Sequence, residues 1–152
     1  MINKKKIVAI VPVKGNSVRV KRKNLTKFAN SNLFKIKLSQ LKKTNCFEKI
    51  IVSSENKKIL NYAKINGFST HLRDRYFSTS EVSMSEVYRN IASEIDGEYI
   101  AWINVTNPLC DEYVYQSAVK KFRKISKNYD CFLSAVKNKQ NYFLKNKPIN
   151  FK

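Results

Sequence analysis

Five short apolar runs alternate along this chain with stretches in which apolar residues recur at helical spacing, and that alternation leaves few architectures open. Ile7 to Val13 is a continuous apolar run of strand length. Glu48 to Ser53 is the second, Phe68 to Leu72 a short third, Tyr99 to Val105 the fourth and Cys131 to Val136 the fifth. Between the first two, Leu33, Phe34, Ile36, Leu38 and Leu41 recur at helical spacing with lysines among them. Ile59, Leu60, Tyr62, Ala63 and Ile65 mark another helix, which Gly67 closes. Ser83 precedes Glu86 at capping-box spacing, ahead of Val87, Ile91 and Ile95 on one face. Asp111 and Glu112 open a helix that runs to about Arg123, where acids favour the positive end of the helix dipole. Strand and helix in strict alternation predict an α/β domain with a mostly parallel sheet and helices on both faces.

At 152 residues the chain is about one domain long, and no stretch of about 20 apolar residues predicts a membrane span. The N-terminal apolar run is too short for a signal peptide and lacks a small-residue cleavage site, so it reads as the first strand of a cytoplasmic protein. Cys46, Cys110 and Cys131 are widely spaced, and His71 is the single histidine, which argues against a disulfide framework or a zinc site. The net charge is +19, unevenly spread. Residues 1–64 hold 17 Lys or Arg against two acids, residues 65–119 three against eight, and residues 120–152 ten against one. Nucleic acid, an anionic small molecule, or a lysine-rich coding bias would each account for such an excess.

In an open α/β sheet the chemistry lies where loops leave the carboxyl ends of the strands. Four stretches qualify. The first, Lys14 to Asn24, carries Gly15, Ser17 and five cations, without the three spaced glycines of a dinucleotide site or the Gly-Lys-Ser/Thr ending of a P-loop. Its cations must therefore hold any phosphate: Gly15 lets backbone approach closely, and Lys14, Arg19 and Lys23 can pair with phosphate oxygens. A solvated basic loop or a nucleic-acid patch would use the same residues. The second, Ser53-Ser54-Glu55-Asn56, reads most simply as a helix cap. The third is Leu72-Arg73-Asp74 with Ser83 ten residues beyond Arg73, where Arg73 alone suits a surface ion pair as well as a ligand. The fourth, Asn104 to Leu109, offers amide and hydroxyl groups suited to a base or sugar, and equally a turn before a helix.

In this order the four stretches resemble the cytidylyltransferases that activate acidic sugars, the acylneuraminate branch above all. That family's signature, Ile-Pro-Ala-Arg-Gly-Gly-Ser-Lys-Arg-Ile-Pro-Arg-Lys-Asn, aligns without a gap on Val11-Pro12-Val13-Lys14-Gly15-Asn16-Ser17-Val18-Arg19-Val20-Lys21-Arg22-Lys23-Asn24. Ile51 to Glu55 is similar to its Val-Ser-Thr-Asp stretch, Arg73 to Val87 to a segment that begins Arg-Pro and reaches a Ser near a helix start, and Asn104 to Leu109 to Gln-Pro-Thr-Ser-Pro-Leu. The likeness covers about residues 5–151.

The resemblance implies a nucleotide-diphosphosugar transferase, Rossmann-like fold. It also implies transfer of CMP from CTP to a nine-carbon 2-keto sugar acid of the N-acylneuraminate type, with release of pyrophosphate, for surface glycans such as lipopolysaccharide or capsule. Arg19 and Lys23 would be the catalytic cations. Lys14, in place of the signature arginine, would bind CTP with Gly15, Asn16, Ser17 and Asn24, and Arg73 and Ser83 would face the cytosine. Asn104, where the family has glutamine, would bind the sugar with Thr106 and Asn107. Mg²⁺ is the implied cofactor, its carboxylate ligands expected beyond residue 152 because the family places them late. Residues 1–140 would be the nucleotide-binding domain, and residues 141–152 the start of a crossing hairpin that pairs two copies, leaving the C-terminal part missing. A CTP-binding domain of weak or no activity, and a basic nucleic-acid-binding protein, are the alternative readings.

Overall fold

Residues Ile7–Pro12 form the first strand, β1, and from Ile7 to Val11 every side chain is buried on whichever face it points to. Such a strand needs cover on both sides, which a central parallel strand receives. The structure, a computed structural model, describes residues 6–15, 22–135 and 142–149. Along it follow β2 (Lys27–Phe28), β3 (Ser31–Asn32), α1 (Leu33–Lys42), β4 (Lys49–Ser54), α2 (Lys57–Ile65), β5 (Ser69–Leu72), a 3-10 turn (Tyr76–Ser78), α3 (Met84–Glu94), β6 (Tyr99–Trp102), α4 (Glu112–Ile125), β7 (Phe143–Leu144) and β8 (Lys147–Pro148).

The main sheet has the order β5-β4-β1-β6 with every pair parallel. Strand periodicity sorts the residues of β1 between the two faces. Ala9 and Val11 meet Phe34, Leu38 and Leu41 of α1 and Ile59 and Ala63 of α2. Ile7, of the same parity, packs with Val119 and Phe122 of α4. Val8 and Ile10 face the other way, onto Val87 and Ile91 of α3. The expected layers, helices on both faces of a parallel sheet, are those observed. The chain leaves β1 toward β4 and β5 and returns on its other side as β6, so the order reverses at β1, the place where open sheets bind ligands.

Two expectations are corrected. The fourth strand ends at Trp102, three residues before Val105, although Ile103 still donates to the carbonyl of Ile10 (2.9 Å) and Ile103 and Val105 stay buried. Apolar character beyond Trp102 thus marks a buried loop rather than more ladder. The fifth strand, Cys131 to Val136, is not formed over its described part: residues 131–135 carry no strand and are exposed, with Leu133 at 79%. Val136 lies outside the described residues. A strand needs a partner for its amides and carbonyls, and none of the main sheet's four strands pairs with this run. The hairpin of β7 and β8 turns through Lys145 and Asn146, both at positive φ (48° and 61°), which is the two-residue loop that matches strand twist.

Candidate functional site

The loop after β1 is fixed before it leaves the sheet. Val13 is fully buried and donates to the carbonyl of Ser53 (2.9 Å), extending the ladder one residue past β1. Gly15 then donates its amide to Oε1 of Glu55, at 2.7 Å, just beyond the end of β4. The other carboxylate oxygen, Oε2, accepts from Nη2 of Arg73 (3.3 Å) and from the Ser78 hydroxyl (3.1 Å). Arg73 also donates from Nη2 to the carbonyl of Val13 (3.4 Å), from Nε to Ser78 Oγ (3.0 Å), and from its backbone to Ser54 (3.0 Å). One buried ion pair therefore ties together the carboxyl ends of β1, β4 and β5. The Arg73 side chain is 1% exposed. Burial lowers its pKa from the usual arginine value, against the opposing pull of Glu55.

Gly15 earns its place by close approach, and the partner is within the fold. A Cβ there would lie 2.5 Å from Nδ2 of Asn56, the residue whose Oδ1 caps α2 by accepting from the amides of Lys58 (2.9 Å) and Ile59 (3.4 Å). Ser54 Oγ in turn accepts from the Asn56 amide. Capping, the simple reading of Ser53 to Asn56, holds for Asn56, while Glu55 does something the sequence did not suggest. Its only signal there was its sign: Glu48 and Glu55 are the two acids in the first 64 residues.

Lys14 and Asn24 join this loop. Lys14 reaches across with Nζ to the carbonyl of Thr79 (2.9 Å); burial, then repulsion from Arg73, pushes its pKa down. Asn24 is 7% exposed, donates from Nδ2 to the carbonyl of Lys14 (3.4 Å), and holds a buried Oδ1 without a partner among the described residues. Lys23, beside it, is exposed. Asn16, Ser17 and Arg19 lie outside the described residues. Ser83 opens α3, where its hydrogen bonds run to Glu86 in a full capping box. Those bonds hold the Glu86 carboxyl below the usual carboxylate range.

On the far side of β1, the segment after β6 exposes Asn104, Thr106 and Asn107 while Ile103 and Val105 stay buried. Beneath it sits a residue that sequence reasoning missed. Lys37 of α1 is fully buried and donates to the carbonyls of Asn107 (2.9 Å) and Cys110 (2.6 Å) and to the Tyr115 hydroxyl (2.8 Å). Gln40 donates to the carbonyl of Pro108 (2.7 Å). The signal was available: Lys37 stands three residues after Phe34 and four before Leu41, on the face where an apolar residue belongs. Burial lowers the Lys37 pKa and pushes that of Tyr115 far up.

His71 links Ser53 Oγ (2.9 Å) to Glu94 Oε2 (2.7 Å), but Ser53 is fully buried, so its hydroxyl is closed to a substrate and the string meets solvent mainly at Glu94. As to a divalent cation, no group of three or more metal-binding His, Cys, Asp or Glu gathers among the described residues. Glu55, the carboxylate that touches the loop, is already committed to Arg73 and Gly15. A magnesium ion held by the protein alone therefore has no ready-made cage among the described residues, whereas magnesium commonly takes one or two carboxylates together with substrate phosphates.

A family model under the description "Cytidylyltransferase" matches residues 8–150, nearly the whole chain. The chain belongs to the cytidylyltransferase family. Its relatives include a pseudaminic acid cytidylyltransferase of Campylobacter jejuni subsp. jejuni serotype O:2, 24% identical over 123 residues that make up 77% of this chain and 53% of that one. An N-acylneuraminate cytidylyltransferase of Escherichia coli O18:K1:H7 is 26% identical over 134 residues, 88% of this chain and 32% of that one. The chain thus spans between a third and about half of the length of these curated relatives. Among solved structures, the CMP:2-keto-3-deoxy-manno-octonic acid synthetase complexed with CTP superposes with a TM-score of 0.65 at 10% identity, covering 78% of this chain and 48% of that one. The bifunctional IspDF of Campylobacter jejuni gives 0.67 at 19% identity, covering 95% and 37%. Likeness at those identities shows the cytidylyltransferase fold.

Proposed function

We propose that this cytidylyltransferase domain binds CTP in the loop after β1 and transfers CMP to an acidic 2-keto sugar of the nine-carbon, N-acylneuraminate or pseudaminic acid type. The observation that carries the reading is the brace of Glu55 and Arg73 on Val13 and Gly15, which fixes the root of a cationic loop at the sheet's reversal point. Preorganised positive charge is what a triphosphate needs, because the field then acts without reorganisation. Lys14 and Lys23, with Gly15 and Asn24, stand at that loop, and Arg19, Asn16 and Ser17 belong to it in sequence. In the reaction the anomeric hydroxyl of the sugar attacks the α-phosphorus, an oxygen-phosphorus bond forms, and the bond to pyrophosphate breaks. Lys14 would exchange the Thr79 carbonyl for a phosphate oxygen, and Arg19 and Lys23 would stabilise charge on the transferring group. Arg73 serves the nucleotide through the backbone it holds, and Ser83 stands by resemblance at the cytosine end. Asn104, Thr106 and Asn107 would receive the sugar. Mg²⁺ is the cofactor expected of such a transfer, and when bound it would offset the charge of the phosphates.

Two copies would meet through the hairpin of β7 and β8, whose Phe143, Leu144 and Ile149 are each more than 60% exposed. The experiment for the nucleotide reading is thermal stability with CTP, ATP, GTP and UTP, each with and without Mg²⁺. At about 100-fold excess over Kd a ligand adds about 2.7 kcal/mol, so CTP should raise the midpoint by several degrees and the others should not. A uniform response, or none, rejects it.

A further inference from the structure

Lys37 is an expensive choice for its position. It lies on the inward face of α1, fully buried, and its three hydrogen bonds go to neutral acceptors rather than to a carboxylate. An ammonium buried in that way loses its hydration with no carboxylate hydrogen-bonded to it, Asp111 acting only from a distance, and an apolar side chain would complete the helix face more simply. The three acceptors use its whole donor set. Two of them are carbonyls of the segment after β6, and Gln40, three residues on, takes a third. The carbonyls of Asn107, Pro108 and Cys110 are thus all held from α1. A turn whose carbonyls are drawn inward presents its side chains outward, and Asn104, Thr106 and Asn107 are its exposed polar residues, beside an exposed Leu109. The root of the loop after β1 is held by Glu55, Arg73 and Thr79, and its end by the Phe34 amide on the Asn24 carbonyl (3.1 Å), contacts in which Lys37 and Gln40 take no part.

We propose that Lys37, assisted by Gln40, is a positioning residue for the sugar acid: it sets the turn of residues 104–110 so that Asn104, Thr106 and Asn107 face the acceptor, independently of CTP binding. This deepens the reading above and rests on it. Misplacement of binding groups by about 1 Å is enough to weaken a productive complex severely, so a pinned turn governs the acceptor side of the reaction.

Lys37→Met keeps the length and the apolar stem and removes the donors. In the full chain, the CTP affinity read from thermal shifts should stay within about twofold, while KM for N-acetylneuraminate or pseudaminic acid rises about tenfold or more, the scale of one or two lost hydrogen bonds. Amide exchange at Asn107 and Cys110, whose amides donate to Asn104 and Asn107 within the turn, should accelerate, and exchange at Ile10 and Val52 should not. Should Lys37→Met fail to fold, Gln40→Leu loses one donor at a half-buried site and should show the same acceptor-selective loss at about threefold. Equal weakening of CTP and acceptor in a folded variant overturns the proposal, because it reports a general structural role. Unchanged acceptor KM, or unchanged exchange at the turn, also overturns it. A wild-type chain that binds no CTP rejects the nucleotide reading itself. Where the wild-type chain binds CTP and neither sugar acid, exchange at the turn alone decides, and an unaltered rate ends the idea.

Discussion

At the residue scale the site depends on an asymmetric ion pair. Arg73 is sealed and Glu55 is 18% exposed, so removing either partner leaves a different problem behind. Glu55→Ala strands a buried guanidinium and frees the Gly15 amide, and should cost about 3 kcal/mol. Arg73→Met leaves a carboxylate that still has water, the Gly15 amide and the Ser78 hydroxyl, and should cost about half as much. Urea denaturation of the two variants and of the double variant tests this: the order should hold and the effects should not add, and additive costs in the reverse order would show that the pair is not coupled. Gly15→Ala makes a separate prediction. The new methyl displaces Asn56 from its cap, so stability should fall by about 1 kcal/mol and the CTP-dependent shift should shrink with it; a variant as stable as the wild type would mean that Asn56 simply moves aside. Neither contact was legible beforehand. Glu55 and Arg73 are 18 positions apart, and only the parallel register of Ser54 with Leu72 brings them together.

At the element scale the sequence spoke most clearly through its helices. Apolar spacing placed α1, and spacing with a capping or dipole signal placed α2, α3 and α4, within a few residues, because a helix end is decided by local hydrogen bonds, here those of Asn32, Asn56, Ser83 and Asp111. Ser83→Ala should therefore cost about 1 kcal/mol, measured by denaturation. The pH dependence has a definite sign. Glu86 has its pKa lowered by the hydrogen bonds from Ser83, so its contribution is present above the unfolded carboxylate value and is lost as pH falls through the folded one. The stability gap between the wild type and Glu86→Gln should accordingly close on acidification from neutral pH, and a gap that stays constant down to pH values below the carboxylate range would contradict the capping role. Strands were read less well. The run from Cys131 has β-favouring residues, yet pairing depends on a neighbour that composition does not reveal.

At the scale of the whole molecule the charge of +19 sets the behaviour. Repulsion among so many cations opposes the compact state, and it is screened as the Debye length falls from about 30 Å at 0.01 M salt to about 10 Å at 0.1 M. The melting midpoint should rise over that range; a fall would mean that local ion pairs outweigh the net field. If the excess charge instead served nucleic acid, binding to a duplex would weaken steeply with salt, and CTP would not compete selectively.

The amino-acid sequence by itself determined the alternation of strand and helix, the parallel α/β class, the helix caps and the cationic loop after the first strand, since each is written in residues close together along the chain. Only the tertiary structure decided that Glu55 and Arg73 brace that loop, that Lys37 pins the turn after β6 from a helix some 70 residues away, and that residues 131–135 stay outside the sheet. Those outcomes follow from which strands lie side by side and which faces they cover. Proximity of that kind arises from packing the whole chain, and no local spacing encodes it.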